Sequence, residues 1–184
     1  MDAPAIRQMF IFARAEEELI SGFGFPPEAF IPLILSLRSG GDWSYADGRI
    51  RSVSVVEKTT RYDDRKKRGR TCEDIYLIIN PELAEQEGKV KRLEKCGEEE
   101  IRLLVERPYR VLVKGEKIVH AVVDPEKMAI RVREIKKKEL EFTGSSAYGM
   151  AHEMEHISGR PISGKGLYEF TYERARKNPQ QPFS

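Results

Sequence analysis

Cysteine is scarce in this chain of 184 residues: Cys72 and Cys96 are the only two. Two thiols do not staple a domain of this size, so a disulfide scaffold is excluded. Long apolar runs are missing as well; none approaches the roughly 20 residues that cross a bilayer. Between Met1 and Ile11 no basic segment leads into a long apolar stretch with a small-residue cleavage site, so no signal peptide is expected. The expectation is a cytoplasmic protein with no membrane partner, in which a lone cysteine is free to serve as a ligand. An excess of one charge is also lacking: 32 basic and 30 acidic side chains leave a net charge of +2. So small a surplus predicts no nucleic-acid partner, and the one basic run, Arg65-Lys66-Lys67-Arg68 with Arg70, reads as a solvated loop. Histidine is rare, with three in all.

What is present is a globular composition, 40% hydrophobic and 34% charged, long enough to bury a core. A single domain over residues 1–184 is expected, with a divergent helical part over 1–48, a core over 49–162, and a C-terminal helix and tail over 163–184. Helical spacing marks Met9 to Ile20, and Glu28 to Leu37 is a second helix that Pro32 should kink or shorten. Ile50 to Lys58 alternates as a strand, Thr59 to Thr71 reads as a loop or exposed hairpin tip, and Asp74 to Ile79 is a strand stopped by Asn80-Pro81. Further strands are expected over 89–95, 101–105, 109–114, 117–123, 128–135 and 138–142. Ser145 or Ser146 is placed to cap a helix from about Ala147 to Ser158, ended by Gly159 and Pro161, and an amphipathic helix over about 167–177 closes the chain.

The chemistry concentrates on the helix after Ser146, which reads His152-Glu153-Met154-Glu155-His156. Residues four apart share a helical face, so both imidazoles project to one side, where they can grip one divalent ion. Glu153, next to the first ligand, is poised to take a proton from water there. A catalytic site wants a third protein ligand and an open position; Cys96 is the strongest candidate, with Glu169 and Glu173 competing. His120 lies in an apolar strand and reads as a packed histidine.

These residues resemble a family. The helix His152 to His156, with Cys96 upstream, is similar to the signature of the peptide deformylases, with Glu155 where that family usually has Asp. Leu77-Ile78-Ile79-Asn80-Pro81-Glu82 looks like the family's strand and turn, Glu94-Lys95-Cys96-Gly97 like its cysteine segment, and His156-Ile157-Ser158-Gly159 like its helix exit. The resemblance spans roughly residues 53–162. It implies a peptide-deformylase-like α+β fold, with antiparallel strands packed around a central metal-binding helix, and one ion, Fe(II) or Zn(II), held by Cys96, His152 and His156. It also implies hydrolysis of a formylated peptide or another small formyl amide, with Glu153 as base and the Gly97 backbone as an oxyanion donor; a related metal amide hydrolase with a different substrate and a non-catalytic metal-binding descendant are the alternatives. Arg107 with Glu155 would hold the helix in place, Arg102 would contact the peptide, and Trp43 or Tyr45 would line the pocket. The family's glycine-rich segment with its Gln is missing; Gly40 to Gly48 stands there instead. The stretch from Cys96 to His152 is also longer than usual by about one hairpin.

Overall fold

The computed structural model describes residues 10–95 and 101–167. Its centre is a long antiparallel ribbon. Strand β2 (Arg51–Asp63) and strand β3 (Arg68–Ile79) run side by side, from Ser52 opposite Ile79 to Asp63 opposite Arg68. Both are rich in Val, Ile, Thr and Tyr, which suit a pleated, half-buried surface. Strand β1 (Trp43–Ala46) adds to the outer side of β2, and β8 (Lys117–Asp124) followed by β9 (Ala129–Ile135) to the outer side of β3, giving the order β1-β2-β3-β8-β9.

Alternation divides this sheet into two apolar faces. Ile75, Leu77, Ile79, Val119 and Ala121 point to one side and meet helix α2 (Ile31–Ser39) through Ile31, Leu33 and Ile34. Val53, Val55, Ile78 and Ile118 point to the other. There they meet helix α3 (Ser145–Ile157) through Ala147, Met150 and Ile157. Each fully buried side chain of this size contributes about 1.5–3 kcal/mol, so the two faces fix the register of the sheet: a one-residue slip would exchange them. A short helix α1 (Arg14–Ile20) and a 3₁₀ turn (Pro27–Phe30) precede α2. Of the two effects expected of Pro32, a kink or a shortening, the structure shows no kink: the α-helix starts only at Ile31, and Pro32 sits in its first turn, where its missing N–H costs nothing.

A second sheet, ordered β10-β7-β4, combines β4 (Glu82–Glu87), β7 (Arg110–Lys114) and β10 (Glu139–Thr143); Val111, Val113 and Phe142 close the core around α3. Gly144, with φ of 62°, turns the chain from β10 into α3. Neither Ser145 nor Ser146 caps the helix; the N-cap is Gly144, and Ser146 Oγ reaches sideways to Glu57 Oε1 at 2.8 Å. Gly159, with φ of 66°, follows the helix in the left-handed conformation that ends many helices.

The chain falls into two compact units. The first comprises Met1–Val90 and Arg107–Ile162 and holds the elements above; the second comprises Lys91–Glu106 and Ser163–Ser184. The second has its own sheet, ordered β11-β6-β5, from β5 (Val90–Glu94), β6 (Arg102–Arg107) and β11 (Lys165–Leu167). The helix expected over 167–177 lies almost wholly outside the described residues.

The expected fold is corrected by this arrangement. Antiparallel sheet dominates, and the organising element of the first unit is the five-stranded sheet with helices on both faces, not a central helix wrapped by strands. The physical reason is the double apolar alternation of β2, β3 and β8, which demands cover on each side. No helix among the described residues is long and apolar enough to cross a membrane.

Candidate functional site

The site forms where β1 passes α3. Residues two apart on a strand share a face. Tyr45 points into the core beside α2, buried with the Ile75 and Leu77 side. Asp42 and Ser44 therefore point the other way, toward α3. Asp42 Oδ1 accepts the backbone N–H of Val56 at 2.8 Å, which anchors the carboxylate at the end of the β1–β2 ladder. Its Oδ2 lies flush on α3 at Gly149, where a Cβ would come within 1.8 Å of it. Only glycine lets the carboxylate approach the helix so closely.

One turn further along α3 stands Glu153, on the same face as Gly149. Glu153 is buried, and a buried carboxyl needs partners; Ser44 supplies a side-chain hydrogen bond. Burial is the main force raising its pKa above the ordinary carboxylate range. The Ser44 bond and the His152 ring pull it down, and the charge of Asp42 pushes it further up. Asp42 is likewise raised, by burial first, against the Val56 N–H and His152. Two carboxyls thus stand on one face of α3, and the charge of Asp42 disfavours ionisation of Glu153.

His152 and His156 stand beside them, one turn apart. Their Nε2 atoms lie 3.0 Å from one another and the ring planes cross at 75°. Ligand atoms of His152, Glu153 and His156 all lie within 4.8 Å of one another. Two imidazole nitrogens on a tetrahedral zinc ion, at about 2.0–2.1 Å each, would be roughly 3.3 Å apart, so the pair has nearly the spacing of a chelate. Behind it, Glu155 Oε2 lies 3.0 Å from Arg107 Nη1, and the Arg107 side chain is only 2% exposed. This ion pair ties α3 to Arg107, both within the first unit.

The structure thus brings together His152, Glu153 and His156, and pairs Arg107 with Glu155. It does not bring Trp43 and Tyr45 to the site. The indole Nε1 of Trp43 donates to the Gly40 carbonyl at 2.9 Å, and Tyr45 is core. The strand alternation that turns these two away turns Asp42 and Ser44 inward. Arg102 opens β6 as an exposed residue of the second unit. Cys96 and Gly97, with Glu169 and Glu173, lie outside the described residues. His120 is buried, as its apolar strand suggests, with Nε2 2.7 Å from Asp74 Oδ1 and its ring stacked on Tyr76 at 4.7 Å. Asp42 and Ser44 are the functional candidates that sequence reasoning passed over. The one available signal was the acid in Gly40-Gly41-Asp42, hidden because the segment resembles a loop.

Residues 29–134, more than half of the chain, match the RimB-like family, described as retropepsin-like aspartic endopeptidase RimB. No curated protein and no solved structure matches the chain. The family match overturns the resemblance to peptide deformylases, and with it the formyl substrate, the metallohydrolase assignment and a role in protein N-terminal processing. The likeness rested on short motifs, and the strongest of them, the His152–His156 helix, is a local pattern that unrelated folds can carry.

Proposed function

Because this chain belongs to the RimB-like family of retropepsin-like aspartic endopeptidases, we propose that it hydrolyses peptide bonds, with Asp42 and Glu153 as its paired carboxylates. The observation that carries this reading is the approach of both side chains to one face of α3: Asp42 against Gly149, and Glu153 one turn on, hydrogen-bonded to Ser44. In this reading the two carboxyls work as a pair holding one proton between them, the arrangement that aspartic proteases use. The ionised member takes a proton from water as its oxygen bonds to the peptide carbonyl carbon. The protonated member steadies the carbonyl oxygen, and a proton passes to the nitrogen as the C–N bond breaks. Ser44 orients Glu153. Asp42 lies inside the matched segment and Glu153 beyond it. A reducing cytoplasm suits the free thiol of Cys72.

A second reading concerns an ion. The facing Nε2 atoms of His152 and His156 fit one divalent cation such as Zn(II) or Fe(II), with Cys96 as the third donor expected from the sequence.

One experiment separates the two. Cleavage of an unstructured protein substrate is followed by mass spectrometry for the wild type, Asp42→Asn and Glu153→Gln, with and without a chelator. Each substitution is expected to lower turnover by about 10²–10⁴, and the chelator to leave the wild type unchanged. Full activity in either variant refutes the carboxylate pair. Loss with chelator and recovery on adding Zn(II) transfers the chemistry to the ion.

A further inference from the structure

The ribbon β2–β3 outruns the sheet. Pairing of β3 with β8 begins at Glu73 opposite Val123. Beyond that point residues 59–63 and 68–72 pair only with each other, and residues 59–71 are all exposed. From Lys58 to Arg70 the arm carries seven basic and two acidic side chains, a net charge of +5. The whole chain carries +2, so the rest of the molecule is net negative and the positive charge is gathered here.

Its placement is costly for folding. Asp63 opposite Arg68 is a favourable pairing, but on the same face Arg61 stands directly opposite Arg70, and like charges facing across a strand pair destabilise it. Little within the chain offsets this. Lys58 pairs with Glu73 at 2.9 Å and Arg70 with Glu126, but Arg61, Arg65, Lys66, Lys67 and Arg68 have no ion pair among the described residues. The tip is preformed nonetheless. Asp63 Oδ1 accepts the N–H groups of Arg65 at 3.0 Å and Lys66 at 3.1 Å, and Lys67 takes a left-handed φ of 50°. A cavity of about 1160 Å³ opens between the arm and the β8–β9 turn at Pro125 and Glu126.

We propose that this arm is a docking surface for the phosphate backbone of a nucleic-acid duplex. Charge complementarity and shape select the partner. A two-stranded ribbon is narrow enough to follow a groove, and its outer charges address the flanking phosphates. The arm has neither Asn nor Gln for adenine, so it reads charge and not sequence. A lipid surface fits less well, since Tyr62 is the arm's only large apolar side chain and interfacial binding draws on an apolar face. The expectation of no nucleic-acid partner came from the overall charge, which conceals this local surplus.

The test uses the full chain and fluorescence anisotropy of short labelled duplex RNA and duplex DNA. With about four phosphate contacts, affinity is expected to fall on the order of a hundredfold between 50 and 200 mM salt. Changing Arg65, Lys66, Lys67 and Arg68 together to Gln is expected to remove most of the binding and most of the salt slope, while thermal melting and peptide cleavage stay as in the wild type. The RNA and DNA arms decide which duplex is preferred. Equal binding by wild type and variant, no binding at low salt, or equally tight capture of polyglutamate or anionic vesicles would each overturn the assignment.

Discussion

At the scale of single residues, Glu153 sets the terms. Its carboxyl is held above the ordinary range mainly by burial, so between the unfolded and folded pKa values the folded chain binds more protons than the unfolded one. Stability then falls as pH rises through that window and is greatest below it. Glutamine keeps an acceptor for Ser44 and never ionises. Glu153→Gln is therefore expected to melt higher than the wild type at neutral pH, with the difference vanishing near pH 4. A variant that melts lower at neutral pH would show that the ionised carboxylate is held by partners stronger than Ser44. His152, Glu153 and His156 were legible in the sequence because helical spacing is a rigid rule. Asp42 and Ser44 were not, since over a hundred residues separate them from Glu153 and only tertiary packing joins them.

At the scale of elements, α3 is secured from two sides. Ser146 ties its first turn to β2, and Glu155 ties its last turns to Arg107. Removing one partner of a buried pair is far more costly than replacing both. Arg107→Ala is expected to lower unfolding free energy by about 3–5 kcal/mol, seen as a drop in the denaturant midpoint, while Arg107→Met with Glu155→Leu recovers most of it. If the double variant is no better than the single, the pair is not what holds the helix. Elements with two apolar faces were legible as strands throughout. Three strands were missed: β1 is four residues behind two glycines, β4 reads Glu82-Leu83-Ala84-Glu85-Gln86-Glu87, an almost wholly exposed strand whose pairing comes from β7 and not from its own pattern, and β11 is only three residues long.

For the whole molecule, stability is graded along the central ribbon. Ile75 to Ile79 is paired on both sides and lies between two apolar faces, whereas residues 59–63 and 68–71 have one partner strand and are exposed. Two-stranded ribbons are marginal in water. Hydrogen exchange is therefore expected to be slow over 75–79 and faster by several orders of magnitude in the arm; equal protection would mean that the arm has a partner within the chain. The class of fold was only partly legible. Strand positions follow from alternation, but which sheet each strand joins does not, and a helix motif of five residues weighed too heavily against the architecture that surrounds it.

The contact between Asp42 and Gly149 has an evolutionary corollary. The two positions lie far apart along the chain yet occupy one volume, so they are expected to covary: a homologue that loses the acid at 42 gains room for a side chain at 149, and one that retains the acid keeps glycine there. Substitutions at the two sites would accordingly be epistatic, each tolerated or rejected according to the state of the other.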